Sequence, residues 1–599
     1  MSAPVWADRR DLQTRTPETP APAPPPYSAA AWAERARSLR EQVRAAAGLW
    51  DDPAEMRQAP AAEVRAPIRH PDLGYAVQRV VLETVPGYPL TATLLVPDGE
   101  AARRGPAPWP AVLHPHGHWP GGRLHHDGMH SVLARAVGLA RMGMASLCPD
   151  MPGYGDAESL PHRWGDPADP LWCAGPLGLQ LWNLIRCLDW LVSLPEVDAT
   201  RLAVTGASGG ATQTLLVTAV DDRVRASAPV NMVSLEYQGG CACEQAPGLR
   251  LGTSNLELAA MAAPRPLLVV SCTGDWTRHV QEQGGPWLQG LYATLGAPER
   301  LSWHREDAEH NYNRGSRLAL YRFLGRWLGA GPPDPPPEDE DVSPVPAEHR
   351  VFAPGAVPVL PGSGLPGLVR AWIRQRTEAD LAGLAQGLGG ARRRLGAALA
   401  AANGLGTPRK PAVRREGRLV WLEHPQGGSL ALEEGAVPGC PLDLLARDGR
   451  HLAIWTYTQG RGTQPWGRAG RAVGEEFFLT YNRGDAAWDA HDLWSALLWA
   501  GGATLVRAEP PAALPALLVG ALAPELVDGV EVELPSGQDE SSWLHPERFA
   551  VGLLRAGGLD GLVALLAPRP VRLRGLDRDL PVARRAYGAL GADTRLALS

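Results

Sequence analysis

The stretch that most constrains the fold is 201–219, RLAVTGASGGATQTLLVTA. An aliphatic run at 202–205 meets GASGG at 206–210, and a helical segment follows. Strand, G-x-S-x-G turn and helix in this order are the layout of a nucleophile elbow, which holds a serine Oγ out of the sheet and in front of a helix N-terminus. The residues beside the serine must be small, because the turn is tight. The stretch therefore predicts a nucleophilic Ser208, with an ordinary glycine-rich turn as the alternative.

Short strands alternate with helices throughout the first half of the chain. Predicted strands cover 110–116, 144–150, 224–230, 266–272 and 301–305 and one ending at Thr205; predicted helices cover 29–49, 129–142, 178–193, 211–219, 286–296 and 314–328. Such alternation indicates a largely parallel sheet that is covered by helices on both faces.

The length of 599 residues exceeds what a single hydrophobic core holds, so two or more domains are expected. The proline-rich residues 1–27 are predicted to be a disordered tail. An acidic, proline-rich linker is predicted at 331–350. It separates a catalytic domain at 28–330 from a second domain at 351–599.

The second half carries short sequences of the first. APRP occurs at 263–266 and again at 567–570, and LYATLGAPERL at 291–301 returns as AYGALGADTRL at 586–596. Nearly constant offsets of this kind are typical of one duplicated unit. We therefore predict a second copy of the same fold.

The second copy lacks the predicted nucleophile. Leu-Leu-Val returns after 302 residues, and the same offset puts Pro510 where the first copy has its serine. An acid survives there as Asp577 or Asp579, whereas the histidine position falls past Ser599. The second domain is thus predicted to be degenerate and non-catalytic. Packing against the first domain is its expected role, and ligand binding is the alternative.

A catalytic serine needs a base to take its proton, and the base needs an orienting carboxylate. Asp275 follows the strand PLLVVSC, and His310 follows the next strand along the chain. Each lies in a loop at the carboxyl end of its strand, where open α/β sheets place their sites. The order serine, acid, histidine predicts a triad of Ser208, Asp275 and His310.

Other residues compete for the two supporting roles. Glu236 and Glu244 follow the preceding strand and are rival acids, in which case Asp275 only caps a turn. His279 and His304 are rival bases. The histidine of the predicted triad is favoured because it alone lies in a loop directly ahead of the last helix.

A tetrahedral oxyanion needs two preorganised donors. The backbone N–H of Gly209, directly after the serine, is the first candidate. The second is expected from the loop within HPHGHWPGG, at Gly117 or His118.

Six of the 16 histidines lie within 114–130, which raises the question of a metal. The order H-x-H-x-D-H of metallo-hydrolases is absent, since His118 stands where the aspartate belongs. Cys241-Ala242-Cys243 lacks a second cysteine pair. No metal and no cofactor are therefore expected, and the histidines are assigned to hydrogen bonds or substrate contacts. The seven scattered cysteines suit a reducing compartment.

With these motifs identified, the first domain resembles the acetylxylan-esterase-like branch of the α/β-hydrolase superfamily. The resemblance covers about residues 75–328 and rests on TGASGGATQT, SAPVNMVS, QGGCACEQAPGLR, APRPLLVVSCTGDWT and EHNYNRGSRLALYRF. It implies an α/β-hydrolase fold for the first domain, so the repeated sequences predict a tandem fold with a degenerate second copy. It also implies hydrolysis of carboxylic esters, often acetyl groups on plant polysaccharides, without a cofactor. By position, Ser208 resembles the nucleophile, His310 the base and Asp275 the acid.

The substrate is expected to be a small or carbohydrate ester. Trp119 and Trp276 lie near the motifs and are candidates for stacking on sugar rings, with core packing as their alternative role. Glu244 is a third candidate for substrate binding. A serine peptidase of the prolyl-oligopeptidase type is the first rival function, although no repeats of propeller-blade length occur. A non-catalytic binding or scaffold protein is the second.

Charge and hydropathy bear on partners. The formal net charge of −6 is small for this length and does not favour nucleic acid or an anionic membrane as a partner. Neither an apolar leader nor an apolar run of 18 residues occurs in the sequence, so a cytoplasmic location is expected, with export after removal of a leader as the alternative. The oligomeric state is left open.

Overall fold

The computed structural model describes residues 14–51, 57–329, 345–353, 364–406, 411–423, 429–437, 439–456, 476–545 and 548–599, together with residues 356, 360 and 408. The strands of the first half are β1 (Ala62–Val64), β2 (Ile68–His70), β3 (Tyr75–Val85), β4 (Tyr88–Pro97), β5 (Trp109–Leu113), β6 (Ala145–Pro149), β7 (Val197–Ala207), β8 (Val224–Val230), β9 (Leu267–Cys272) and β10 (Leu301–Glu306). Its helices are α1 (Ala29–Ala46), α2 (Gly99–Arg104), α3 (Val132–Arg141), α4 (Asp169–Trp172), α5 (Pro176–Ser193), α6 (Gly209–Val220), α7 (Asn255–Ala260), α8 (Val280–Gln283), α9 (Gly285–Thr294) and α10 (Arg314–Leu328).

These ten strands form one sheet in the order β1-β3-β4-β6-β5-β7-β8-β9-β10, with β2 paired to β3. The pairs β3–β4 and β4–β6 are antiparallel, whereas every pair from β6 through β10 is parallel. An antiparallel start followed by parallel strands in this order is the α/β-hydrolase arrangement, so the predicted fold is confirmed. The carboxyl ends of β7, β9 and β10 meet at one edge of the sheet.

The parallel strands are buried on both faces. All six residues of β9 (LLVVSC) are buried, as expected for a strand covered by helices on each side. Leu188 of α5 and Leu215 of α6 pack in the main core, whereas Leu139 of α3 and Leu324 of α10 pack on the opposite face. The described helices include none long and apolar enough to cross a bilayer.

The second half forms a separate sheet. Its strands are β11 (Ala412–Glu416), β12 (Leu419–Glu423), β13 (Ser429–Glu434), β14 (Leu442–Ala446), β15 (His451–Trp455), β16 (Ala503–Ala508), β17 (Val530–Glu533), β18 (Val571–Arg574) and β19 (Leu596–Leu598). Its helices are α11 (Gly364–Ala385), α12 (Gly389–Ala402), α13 (Phe478–Tyr481), α14 (Asp485–Ala500), α15 (Ala513–Leu522), α16 (Gly558–Leu566) and α17 (Pro581–Ala589).

The order of the second sheet, β11-β12-β13-β15-β14-β16-β17-β18-β19, parallels that of the first. Strands β16 to β19 are parallel, and Pro510 lies between β16 and α15 as Ser208 lies between β7 and α6. One strand differs: β14 is antiparallel to both neighbours, whereas its counterpart β5 is parallel to both.

The N-terminal segment differs from the disorder predicted for it. Within the described residues 14–27, the Ala21 N–H donates to the carbonyl of Leu235 at 2.7 Å, and the indole N–H of Trp287 donates to the carbonyl of Pro25 at 2.9 Å. A proline-rich composition shows that a segment lacks a core of its own, but not whether it docks on another surface. Residues 1–13 lie outside the described part of the chain.

Most of the predicted linker, residues 331–344, also lies outside the described part. The remainder packs on the first half: the carbonyl of His349 accepts hydrogen bonds from Arg123 and Thr93, at 2.9 and 3.1 Å. The His349 ring is buried, and neither ring nitrogen has a hydrogen-bond partner.

Burial, with the nearby Arg123 charge, lowers the pKa of His349 from 6.5 to about 3. The folded state therefore favours the neutral ring, and this contribution to stability is present above pH 6.5 and lost as the pH falls from 6.5 toward 3. We expect His349→Leu to raise the free energy of unfolding at pH 5 by on the order of 2 kcal/mol, with a smaller gain at pH 7.5. Thermal unfolding at both pH values measures this. An equal Tm change at the two values would contradict it, and exposed His279→Gln serves as the control.

Candidate active site

Ser208 occupies a strained turn at the carboxyl end of β7. Its φ of 58° and ψ of −127° lie outside the regions that residues with a Cβ ordinarily adopt. Its N–H donates to the carbonyl of Val230 at 3.1 Å, and α6 begins at the next residue. Strain of this kind persists only where the surroundings enforce it, and it is concentrated at functional sites. The conformation is the one that the G-x-S-x-G motif predicts.

The glycines of the turn are required by a close approach of the loop after β5. A Cβ on Gly210 would lie 2.5 Å from the carbonyl oxygen of Pro115, and one on Gly206 would lie equally near it. Only residues without a Cβ leave room for this contact. The loop after β5, which carries the predicted second oxyanion donor, therefore packs directly on the serine turn.

This contact predicts that Gly210→Ala displaces the two loops. Because the obstructing atoms are backbone atoms of Pro115 and His116, we expect kcat for a test ester to fall by about 10–100-fold, together with a lower Tm. Gly290→Ala on α9 is the matched control, since nothing lies within 4 Å of its added Cβ. Equal kinetics for the two variants would contradict the role assigned to the contact.

Asp275 and His310 are adjacent. Nδ1 of His310 lies 3.2 Å from Oδ2 of Asp275, whose side chain is fully buried, while 26% of the histidine side chain is exposed. The carboxylate also accepts hydrogen bonds from the backbone N–H of Trp276 at 2.7 Å and from the Thr277 hydroxyl at 2.9 Å. The Nδ1 contact has the length of a hydrogen bond but not its alignment. Catalytic hydrogen bonds often align only when substrate binds.

Hydrogen bonds tie the loop of His310 to the strands beside the serine. The hydroxyl of Tyr312 lies 2.7 Å from Oγ1 of Thr205 in β7. The side-chain amide of Asn231, next to β8, donates to the carbonyl of Asn311 at 2.7 Å. Asn311 and Tyr312 directly follow His310 in sequence, so both anchors hold its loop at the edge where Ser208 lies.

The rival acids and bases have other partners. Glu244 is buried and accepts the N–H groups of Gly240 and Cys241, both at 3.0 Å, so its carboxylate orders the loop around it. Glu236 accepts a hydrogen bond from Gln283 at 2.9 Å.

The rival histidines lie elsewhere. Nε2 of His304 is 2.8 Å from Glu306, and His279 is exposed beside α8. Among the carboxylates weighed from the sequence, Asp275 is the one that the structure places against His310.

The side chain of His118 lies over Gly209, the first of the predicted oxyanion donors. A Cβ on Gly209 would lie 2.6 Å from Cε1 of His118, so this ring covers the first turn of α6. In the described part of the chain, the backbone N–H groups of Gly209, Gly117 and His118 have no protein acceptor. These are the properties needed of donors that await a developing negative charge.

The histidine-rich loop is a hydrogen-bond network, as the sequence analysis proposed. Nδ1 of His116 lies 2.8 Å from the carbonyl of Gly117, and its Nε2 accepts the Met151 N–H at 3.0 Å. Burial lowers the pKa of His116 to about 3 and keeps the ring neutral. Nε2 of His130 lies 3.2 Å from the carbonyl of His310. The network orients both the oxyanion loop and the loop of the proposed base.

Both tryptophans selected from the sequence lie beside His310. The ring of Trp276 stacks on it at 4.5 Å between centroids, and the ring of Trp119 lies at 6.4 Å. Trp119 also packs on His130 at 4.1 Å. Trp276 is partly exposed next to the proposed base, whereas Trp119 is buried and packs in the core, the alternative role expected for it.

His162, another polar residue of this region, was not predicted from the sequence to be a site residue. Its Nε2 lies 3.3 Å from the Sγ of Cys241, and Nε2 of His118 lies 3.1 Å from the Sγ of Cys243. The hydrogen bond from the Cys243 thiol lowers the pKa of Cys241, whereas burial raises the pKa of Cys243. The C-x-C and H-x-H spacings were visible signals, but no linear spacing joins His162 to them.

The order and direction of the strands define an α/β-hydrolase fold. No protein-family model and no curated protein matches the chain. Among solved structures it is similar to methylesterase BT1017, at 30% identity over 59% of this chain and 77% of that one, with a TM-score of 0.49. A putative acetyl xylan esterase from Bacteroides fragilis is 16% identical over 51% and 87%, with a TM-score of 0.38. A glucuronoyl esterase from Solibacter usitatus is 13% identical over 51% and 96%, with a TM-score of 0.36.

Proposed function

We propose that this protein is a serine ester hydrolase. The observation that carries the proposal is the Asp275–His310 contact of 3.2 Å, at the same sheet edge as the strained Ser208. A buried carboxylate behind a partly exposed imidazole and a serine in a nucleophile turn are the parts that acyl transfer requires.

In the proposed reaction, His310 takes the Ser208 hydroxyl proton as Oγ attacks the ester carbonyl. The backbone N–H of Gly209, with that of Gly117 or His118, stabilises the resulting oxyanion. His310 then gives the proton to the leaving alcohol, and an acyl-enzyme remains. A water molecule, deprotonated by the same histidine, releases the carboxylic acid and restores the serine. Asp275 holds the imidazole orientation and stabilises its protonated form throughout.

We further propose that the alcohol of the ester belongs to a carbohydrate. Trp276, which is partly exposed, presents aromatic surface beside His310, and aromatic rings pack well on the apolar faces of sugars. The sequence resemblance to acetylxylan-esterase-like proteins points the same way. An acetyl group is the acyl group that this resemblance favours.

A panel of esters tests both parts of the proposal. Acetylated xylo-oligosaccharides, a methyl glucuronoyl ester, a feruloyl ester, a short aryl acetate and a proline-containing peptide are compared by kcat/KM. We expect hydrolysis of esters, with the acetylated sugar ahead of the aryl acetate. Cleavage of the peptide without any ester would contradict the ester hydrolase. A preference for the aryl acetate would contradict the carbohydrate part alone.

We infer that the second half is a degenerate, non-catalytic copy of the first. The hydroxyl of Tyr292 donates to the carbonyl of Arg265 at 2.8 Å, and that of Tyr587 donates to the carbonyl of Arg569 at 2.7 Å. These matched contacts join the repeated sequence blocks in both halves, and Pro510 at the serine position has no hydroxyl to offer.

The second half supports the loop that follows β8. The N–H of Gly248 donates to the carbonyl of Leu479 at 2.8 Å, and that of Arg250 donates to the carbonyl of Thr480 at 2.9 Å. We propose that the second half buttresses the substrate side of the first through this contact.

A further inference from the structure

Two histidines and two cysteines converge beside the nucleophile turn. His118, His162, Cys241 and Cys243 each offer one ligand atom, and all four atoms lie within 4.8 Å of one another. Nε2 of His118 lies 3.1 Å from Sγ of Cys243, and Nε2 of His162 lies 3.3 Å from Sγ of Cys241. Three separate loops, after β5, β6 and β8, supply the four side chains.

The spacing suits a tetrahedral metal ion. Zinc binds thiolate sulfur at about 2.3 Å and imidazole nitrogen at about 2.0–2.1 Å, so tetrahedral ligands stand about 3.3–3.8 Å apart. The two observed nitrogen–sulfur distances, 3.1 and 3.3 Å, are close to these ligand–ligand distances. Zinc with two thiolates and two neutral imidazoles has no net charge, which suits a site whose cysteines are buried. Soft sulfur ligands combined with imidazole favour zinc over magnesium or calcium.

Surrounding contacts orient the ligands as metal sites require. Nδ1 of His162 lies 2.8 Å from the carbonyl of Pro152, so an Nδ1–H there leaves the Nε2 lone pair facing Cys241. The carboxylate of Glu244 binds the backbone N–H of Cys241, and the side-chain amide of Gln213 donates to the carbonyl of Cys243 at 3.2 Å. The loop with both thiols is thereby fixed from two sides.

We propose that His118, His162, Cys241 and Cys243 bind one structural zinc ion. With four protein ligands the coordination is closed, so the ion joins three loops rather than activating water. Binding releases the two thiol protons to solvent and involves no oxidation. Because the ring of His118 covers Gly209, the ion also holds the oxyanion loop against α6. The site is independent of whether the protein hydrolyses esters.

Metal content of the tag-free, full-length protein tests the proposal. After growth with added zinc and dialysis, we expect about one zinc per chain by elemental analysis. A chelator should remove it and lower the Tm by several degrees, and added zinc should restore both. Co²⁺ loaded in place of zinc should give the visible absorption of a tetrahedral thiolate site. Both cysteines should resist a thiol reagent until the chelator is added.

Paired variants locate the ion. We expect zinc content to fall to about a tenth or less in the double variant Cys241→Ser/Cys243→Ser and, separately, in His162→Asn. The control variant Cys440→Ser, in the second half, should retain its zinc. Removal and reloading of metal in the unaltered protein keep the test decisive if a variant fails to fold. The proposal is overturned if the unaltered protein binds neither zinc nor cobalt, if the cobalt spectrum survives the double substitution, or if fresh protein holds a Cys241–Cys243 disulfide.

Discussion

Ser208→Ala is expected to lower kcat for ester hydrolysis by about 10⁴–10⁶-fold while leaving the fold intact. The substitution removes the attacking oxygen but keeps the Cβ, so the strain at φ 58° is the same in both proteins. Initial rates on an acetyl ester measure the loss of activity, and the thermal unfolding curve shows whether the fold is intact.

The matched control is Ser193→Ala, since that hydroxyl bonds only the carbonyl of Trp190 at the end of α5. It should retain the full rate. A Ser208→Ala protein that keeps more than about a tenth of the rate would show that another group forms the covalent bond.

Asp275→Asn is expected to lower kcat by about 10⁴-fold with little change in KM. The substituted amide presents an N–H₂ donor where His310 and Thr277 now meet carboxylate oxygens, at 3.2 and 2.9 Å. The imidazole is then held in the wrong tautomer, and its protonated form loses the facing negative charge. Rates measured from pH 5 to 9 show whether any pH restores activity.

Glu236→Gln and Glu244→Gln are the comparison variants, because both glutamates were rivals for the same role. Glu236→Gln should be nearly neutral. Glu244→Gln should act through its loop, as a lower Tm and a moderate fall in rate. A loss of about 10⁴-fold at either glutamate, with Asp275→Asn active, would move the acid to the loop after β8.

Much of the first half was predictable because its signals are local. The strand and helix around Ser208 appear as β7 and α6, and the prediction for 314–328 matches the bounds of α10. The positions of Asp275 and His310 followed from chain order, since parallel strands bring their carboxyl ends to one edge.

What the sequence analysis missed depends on contacts between distant segments. His162 meets Cys241 only because the loops after β6 and β8 fold over the same edge, and a C-x-C pair without a second pair offers no spacing to read. Docking of residues 14–27 likewise depends on a surface formed by other segments. The antiparallel direction of β14 was not predicted either, because the sequence pattern of a strand does not show which way the strand runs.

Covalent labelling tests the central claim, that Ser208 is the nucleophile of an ester hydrolase, most directly. Full-length protein is incubated with a fluorophosphonate probe and digested with trypsin, and the adduct is located by mass spectrometry. The expected adduct lies on the peptide 202–223, in which Ser208 is the single serine, and it forms much more slowly in Asp275→Asn. Absence of labelling, or an adduct on any other residue, would contradict the account.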